Sequence, residues 1–359
     1  MKSKLASIAL AILSICAGLA AAEVLLRARP QLMGHMADST LGRYRVHPIW
    51  HHWLRPNQNS AIASFDPERW PDPIVYETNS QGCRYGELEP MPSPGTSRIV
   101  VLGDSFTEGY YLEDTFAAVL ERSLNELDNG TRYEVVGCGN TSYSPLLHYL
   151  RYRDQLSALN PHEIIVNIDL TDIYDDNWRY GPMTEFAPDG EPLRAGAAAW
   201  SLRGVADALR FRSNVARLVL GRPGKQLVLP VTMNVFAYYR GMTPDDPKFQ
   251  QDAGRTLAYL KRLTDLAKSR NTGVTITTYP YLYQFRHGVR GDPAWNRNLE
   301  FILDYFADRE SVRFWSAFDA LLPHADSIYW PDDNHFTPVG QRIWAEAFAE
   351  YYTGVLDLP

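Results

Sequence analysis

Ser105, His335 and the aspartates just ahead of that histidine are the residues whose types could together do nucleophilic chemistry. A serine that attacks a carbonyl needs a base to take its proton and a carboxylate to orient the base. Asp332 precedes His335 by three positions in a loop ahead of a predicted helix, so its carboxylate can fold back onto an imidazole nitrogen. Asp333 is a neighbouring carboxylate that competes for the same assignment.

The stretch before Ser105 predicts how the serine is positioned. Residues 99–102 form a short apolar run, rich in β-branched side chains, that ends at Gly103. This pattern predicts a buried strand that runs into a sharp turn. A small hydroxyl residue in such a turn lies at the carboxyl edge of a sheet, where open α/β folds bind their ligands.

Strands and helices alternate along the rest of the chain. Apolar runs predict further strands at 133–136, 161–170, 273–278 and 312–315, and helical spacing predicts helices at 113–127, 146–159, 255–268, 295–306 and 338–352. This alternation predicts a parallel sheet covered by helices on both faces. The segment 174–250 is longer than a normal connection between two parallel strands. We expect this insertion, with a helix near 203–220, to form a lid or a wall of the substrate site.

Two motifs resemble the GDSL, or SGNH, hydrolase family. Gly-Asp-Ser at 103–105 resembles its nucleophile block, and Asp-x-x-His at 332–335, ahead of Thr-Pro-x-Gly, resembles its last block. The resemblance implies a three-layer α/β/α, flavodoxin-like fold of about five parallel strands over residues 98–355. It favours Asp332 over Asp333 as the partner of His335, and it implies neither a cofactor nor a metal.

The donors for an oxyanion are less complete than the nucleophile and its base. The backbone N–H of Ser105 is one expected donor, and the resemblance implies a second at Gly139, with Gly137 as the fallback. Family members commonly add a side-chain amide after the third strand, where Thr171 stands in this chain. Loss of one oxyanion donor costs about 10²–10³ in rate. Thr171 substitutes, Asn140 or Asn177 reaches in, or the activity is weak or narrow.

The amino terminus has a targeting pattern. Lys2 and Lys4 precede an apolar segment over residues 5–22, which fits a secretory signal peptide or a transmembrane anchor. Small residues at 20–22 favour cleavage, whereas the apolar run continues to Leu26 before two arginines. Anchored bacterial relatives carry a similar helix, and this favours an uncleaved anchor over residues 1–29. We expect an inner-membrane protein facing the periplasm or cell exterior, or else a secreted one.

Residues 30–97 are rich in proline and aromatic residues and show no sustained helical period, which predicts an extended arm with short β segments. Arg84 in this arm either reaches the site or binds backbone carbonyls. Three histidines at 47, 51 and 52 lack an evident fourth ligand, so we predict no zinc site. Cys83 and Cys138 could form a disulfide, but the sequence leaves this open.

The composition excludes some functions and leaves others. A net charge of −7 does not indicate the positively charged surface that nucleic-acid-binding proteins need. The leading expectation is a serine esterase that acts on a small ester or an acylated glycan. One alternative is an O-acetyltransferase that modifies a cell-surface or secreted polysaccharide, which would need a membrane acyl-donor protein as a partner. The other is a catalytically weakened glycan-binding or assembly protein.

Overall fold

The computed structural model describes most of the chain. The described residues are 2–29, 43–62, 64, 66, 68–196, 213–216, 245–282, 284–285, 302, 305–306, 312–331 and 333–355. The chain begins with helix α1, Lys2–Ala28. Its segment Ala9–Ala28 has a mean hydropathy of 2.3 and is 6% buried. This helix is long and apolar enough to cross a membrane, a property that signal sequences share.

Two antiparallel strand pairs follow α1 and lie before the main sheet. Strand β1, Tyr44–His47, pairs with β2, His51–Leu54, and β3, Asn59–Ile62, pairs with β4, Ile74–Glu77. Their buried residues, among them Tyr76, face the carboxyl edge of the main sheet, since the Tyr76 hydroxyl donates to the Gly109 carbonyl.

Five parallel strands form the central sheet, in the order β11-β10-β7-β5-β6. A small hairpin of strands β8 and β9 lies outside this sheet. Most side chains of the three middle strands are buried, as expected for a parallel sheet with both faces covered. The strands are β5, Thr96–Leu102; β6, Arg132–Gly137; β7, Glu163–Ile168; β8, Glu185–Phe186; β9, Pro192–Arg194; β10, Gly273–Thr278; and β11, Val312–Ser316.

Helices cover both faces of the sheet, which confirms the predicted three-layer fold. Helices α3 and α8 pack together on one face, and α4 and α6 pack together on the other. The helices after α1 are α2, Ser105–Glu108; α3, Phe116–Asn125; α4, Pro145–Asp154; α5, Leu170–Tyr174; α6, Pro247–Ser269; α7, Phe318–Leu321; and α8, Pro338–Val355. Most of the predicted helices at 203–220 and 295–306, and much of the insertion, lie outside the described residues.

A disulfide joins the arm to the end of β6. Cys83 bonds to Cys138 across a sequence separation of 55 residues, and both side chains are fully buried. The Arg151 guanidinium donates to the Cys138 carbonyl at 2.9 Å and to the Gln81 carbonyl at 2.8 Å. The arm is therefore tied covalently and by hydrogen bonds to the loop that follows β6.

We expect the double variant Cys83→Ser, Cys138→Ser to lose about 4 kcal/mol of unfolding free energy, because the loop is no longer closed in the unfolded chain. Denaturant unfolding without reductant measures this loss. Cys16→Ser is the matched control, since Cys16 is exposed and unpaired. A change below about 0.5 kcal/mol in the double variant would contradict a stabilising crosslink.

Candidate active site

Ser105 is the first residue of the short helix α2, directly after the turn that ends β5. A Cβ atom at Gly103 would lie 2.0 Å from the Thr107 hydroxyl oxygen, so the turn needs glycine at this position. The Asp104 carboxylate accepts the N–H of Phe106 at 2.8 Å and caps the helix. These contacts hold the Ser105 side chain at the carboxyl edge of the sheet, as predicted.

His335 meets the Ser105 hydroxyl. Its Nε2 atom lies 2.7 Å from Ser105 Oγ, within hydrogen-bond distance. The imidazole ring packs against two aromatic rings, with its centroid 4.9 Å from that of Phe106 and 4.8 Å from that of Tyr110. These rings restrict the orientation of the base toward the serine.

The carboxylate on the far side of His335 belongs to Asp333. Asp333 Oδ1 accepts a hydrogen bond from His335 Nδ1 and a second from the His335 backbone N–H at 2.9 Å. The predicted partner was Asp332, which lies outside the described residues. The contact predicted for Asp332 is therefore made by Asp333. The loop turns at Trp330, whose carbonyl accepts the Asp333 N–H, and this turn brings the Asp333 carboxylate to Nδ1 of the imidazole.

Charges around His335 shift its titration. Burial alone would lower the pKa of His335, but the Asp333 carboxylate, aided by Asp104 and Glu108, outweighs burial and raises it. Burial alone would raise the pKa of Asp333, but the charge of His335 and hydrogen bonds from the loop lower it. The pair therefore favours an ionised carboxylate next to a basic imidazole.

Gly139 lies directly against the nucleophile helix. A Cβ atom at this position would lie 2.4 Å from the Glu108 backbone nitrogen, so no larger residue fits. The neighbouring N–H groups of Cys138 and Asn140 donate to the Val101 and Gly103 carbonyls. Within the described part of the chain, no acceptor is found for the Gly139 N–H. Gly137, the fallback, instead pairs with Val101 inside the sheet.

The three side chains considered as a third oxyanion donor make different hydrogen bonds. Thr171 Oγ1 lies 3.4 Å from the Tyr281 hydroxyl, and the Thr171 N–H donates to the Asp169 carboxylate. The Asn140 amide donates to the Cys138 carbonyl, whereas that of Asn177 donates to two other backbone carbonyls. Both asparagine amides are thus already engaged, and Thr171 remains the candidate.

The arm supports the site rather than entering it. Arg84 donates to the carbonyls of Glu108, Gly109 and Leu112 at 2.7–3.1 Å. The Glu108 carboxylate accepts the Thr141 N–H at 2.9 Å and also the Tyr44 hydroxyl. The arm therefore holds the end of α2, which is the structural role considered for Arg84. No group of metal-binding side chains occurs within the described ranges.

Sequence reasoning missed a set of buried acids beside Ser105. Asp104 and Asp169 follow β5 and β7, and both contact the Tyr279 hydroxyl, which follows β10. The available signal was their position, because polar residues that directly follow adjacent parallel strands meet at one sheet edge. Nothing in the sequence marked these acids as partners of one another.

Comparison with known proteins gives one family match. The profile of the GDSL-like Lipase/Acylhydrolase family matches residues 101–343. Comparison with curated proteins gives no match.

Among solved structures, the chain is similar to an acetylxylan esterase from Geobacillus stearothermophilus, with 14% identity over 71% of this chain and 93% of that one and a TM-score of 0.43. It is also similar to a putative G-D-S-L lipolytic protein from Desulfitobacterium hafniense, with 14% identity, 71% and 98% coverage and a TM-score of 0.37. A GDSL-like lipase from Bacteroides thetaiotaomicron matches with 15% identity, 73% and 91% coverage and a TM-score of 0.35. The chain belongs to the GDSL-like lipase/acylhydrolase family, whose members hydrolyse ester bonds.

Proposed function

We propose that this chain is a serine esterase whose triad is Ser105, His335 and Asp333. The observation that carries the proposal is the hydrogen-bonded line from the Asp333 carboxylate through the imidazole to the serine hydroxyl. Such a line is the arrangement that activates a serine, which is a weak nucleophile at its ordinary pKa. Family membership supports the reaction class.

The reaction follows from these contacts. Ser105 Oγ attacks the ester carbonyl while its proton moves to His335 Nε2, and Asp333 stabilises the resulting imidazolium. The N–H groups of Ser105 and Gly139 receive the oxyanion, and Thr171 is proposed as a third donor. The imidazolium gives its proton to the departing alcohol and leaves an acyl-Ser105. A water molecule, deprotonated by His335, then releases the acid and restores the serine.

We propose a small ester or an acylated glycan as the substrate. A glycan hydroxyl in place of water would turn the same steps into acyl transfer, with the acyl group supplied by a separate membrane protein. A glycan-binding protein with a weakened site is the remaining alternative. These readings differ in the fate of the acyl group, which is therefore the quantity to measure.

Ser105→Ala should abolish hydrolysis of short-chain 4-nitrophenyl esters and of an acetylated glycan, with kcat reduced about 10⁴-fold or more. Ser93→Ala is the matched control, because Ser93 is exposed and precedes the opposite end of β5. A fluorophosphonate probe should label the wild type and the control but not Ser105→Ala.

The outcomes separate the readings. Release of free acetate supports the esterase, whereas acetyl groups that appear on an added glycan support the transferase. If the wild type neither hydrolyses esters nor reacts with the probe, both enzymatic readings are wrong.

The two aspartates can be distinguished by their effect on His335. Asp333→Asn removes the charge that raises the pKa of His335. Because the neutral imidazole is the base, the rise of kcat/KM with pH should move to lower pH in this variant, and kcat/KM at pH 8 should fall about 10³-fold. Asp332→Asn should keep the profile of the wild type. The reverse pattern would return the assignment to Asp332.

We also propose that α1 stays attached and anchors the enzyme to the inner membrane, with the catalytic domain on the periplasmic or outer side. Its length and apolar composition support this location, although a signal sequence shares them. Intact mass measurement of the protein purified from membranes should therefore give the full chain. A mature mass that lacks about the first twenty residues would show that α1 is a cleaved signal.

A further inference from the structure

A buried pair of carboxyl groups lies directly behind the nucleophile. The Tyr279 hydroxyl lies 2.5 Å from Asp104 Oδ1 and 2.8 Å from Asp169 Oδ2. Asp104, Asp169 and Tyr279 are 4%, 0% and 1% exposed. The other Asp104 oxygen, Oδ2, is 3.3 Å from Ser105 Oγ. The pair therefore connects the nucleophile to the start of α5, which carries Thr171.

Counting protons at this junction shows that one is missing if both acids are ionised. The phenol has a single proton and can donate to only one of the two carboxylates. The other carboxylate oxygen would then face a phenol lone pair within 2.8 Å, with no proton between them. A second proton on the pair turns this repulsive contact into a hydrogen bond.

The surroundings of the pair favour that second proton. Within the part of the chain that the structure describes, no lysine or arginine donates to either carboxylate. The charged and titratable groups that face the pair are His335 next to Asp104, the carboxylates of Asp172 and Asp175 near Asp169, and the hydroxyls of Tyr279 and Tyr281. Burial, with the charge of Asp169, raises the pKa of Asp104. Burial likewise raises the pKa of Asp169.

We propose that Asp104 and Asp169 share one proton in the active enzyme, and that this shared proton makes Asp104 a positioning residue for Ser105. With the proton present, the pair carries one negative charge and leaves the serine hydroxyl to His335. When the proton is lost, a second charge appears near Ser105, where Asp104 competes with His335 for the hydroxyl proton. The same charge opposes the oxyanion that forms on the substrate.

This inference rests on the proposed esterase function and predicts a second, alkaline limit to it. We expect kcat/KM of the wild type to rise with pH as His335 becomes neutral and to fall again as the pair loses its proton. For a single ionisation, kcat/KM should fall about tenfold for each pH unit above the pKa at which the pair loses its proton. The measurement uses a 4-nitrophenyl ester from pH 5 to 9.5, with spontaneous hydrolysis subtracted.

Asp169→Asn tests the pair itself. Asparagine keeps the shape of the side chain but removes one charge and one titrating group, so the pair can no longer carry two negative charges. The alkaline fall should therefore move up by at least about one pH unit. Asp252→Asn is the matched control, because Asp252 is also buried but pairs with Lys248 on α6. This control should keep the fall where the wild type has it.

Two further measurements keep the proposal testable if Asp169→Asn does not fold. Tyr279→Phe removes the phenol that donates to the charged form of Asp104, so its alkaline fall should also move to higher pH. The rate of fluorophosphonate labelling of Ser105 should follow the same profile as kcat/KM in the wild type.

Different results would contradict the shared proton and the esterase function. A wild-type profile without an alkaline fall, or the same fall in Asp169→Asn as in the wild type, contradicts the shared proton. A uniform loss of activity at all pH values in Asp169→Asn, with the fall unmoved, would show a merely structural role. Absence of all turnover and labelling in the wild type would instead contradict the esterase function.

Discussion

The hydrogen bond between the Ser105 hydroxyl and His335 Nε2 is the contact on which the rest of the site depends. Its two residues come from opposite ends of the catalytic region, one from the turn after β5 and the other from the loop ahead of α8. They meet because β5 lies inside the sheet, between β7 and β6, and α8 packs on α3 at one face of it. The Gln341 amide, in the first turn of α8, donates to the Phe106 carbonyl at 3.1 Å. Packing of a whole layer therefore sets the distance between nucleophile and base.

The arm also restrains the active site, through its contacts with the end of α2 and with the loop after β6. The Arg84 guanidinium binds carbonyls at the end of α2, and hydrogen bonds to a charged group contribute about 1.5–3 kcal/mol each. The disulfide to Cys138 fixes the residue next to Gly139, so the same segment holds the loops of the nucleophile and of the proposed oxyanion donor. Preorganised donors gain their catalytic value from such rigidity, because they need no reorganisation as charge develops.

Much of this arrangement could be predicted from the sequence, because it depends on periodicity and order. The five strands of the sheet follow from apolar runs and turn residues, and Ser105 and His335 follow from their motifs. The carboxylate partner of His335 could not be predicted from the sequence. Asp332 and Asp333 differ by one position, and only the path of the loop decides which carboxylate reaches the imidazole nitrogen. The acids Asp104 and Asp169 were missed for a related reason. Their pairing depends on strands that are neighbours in the sheet but far apart in the chain.

The site thus contains aspartates of two kinds, and their environments separate their roles. Asp333 accepts N–H donors and faces an imidazole, which lower its pKa and keep it ionised as the counterion of His335. Asp104 is more deeply buried beside a second carboxyl, and its pKa is raised. An additional full charge there would oppose both the loss of the serine proton and the oxyanion. A nucleophile with a buried carboxyl group beside it is favoured when that group keeps its charge partly neutralised, and the proposed shared proton achieves this without a lysine or arginine at the pair.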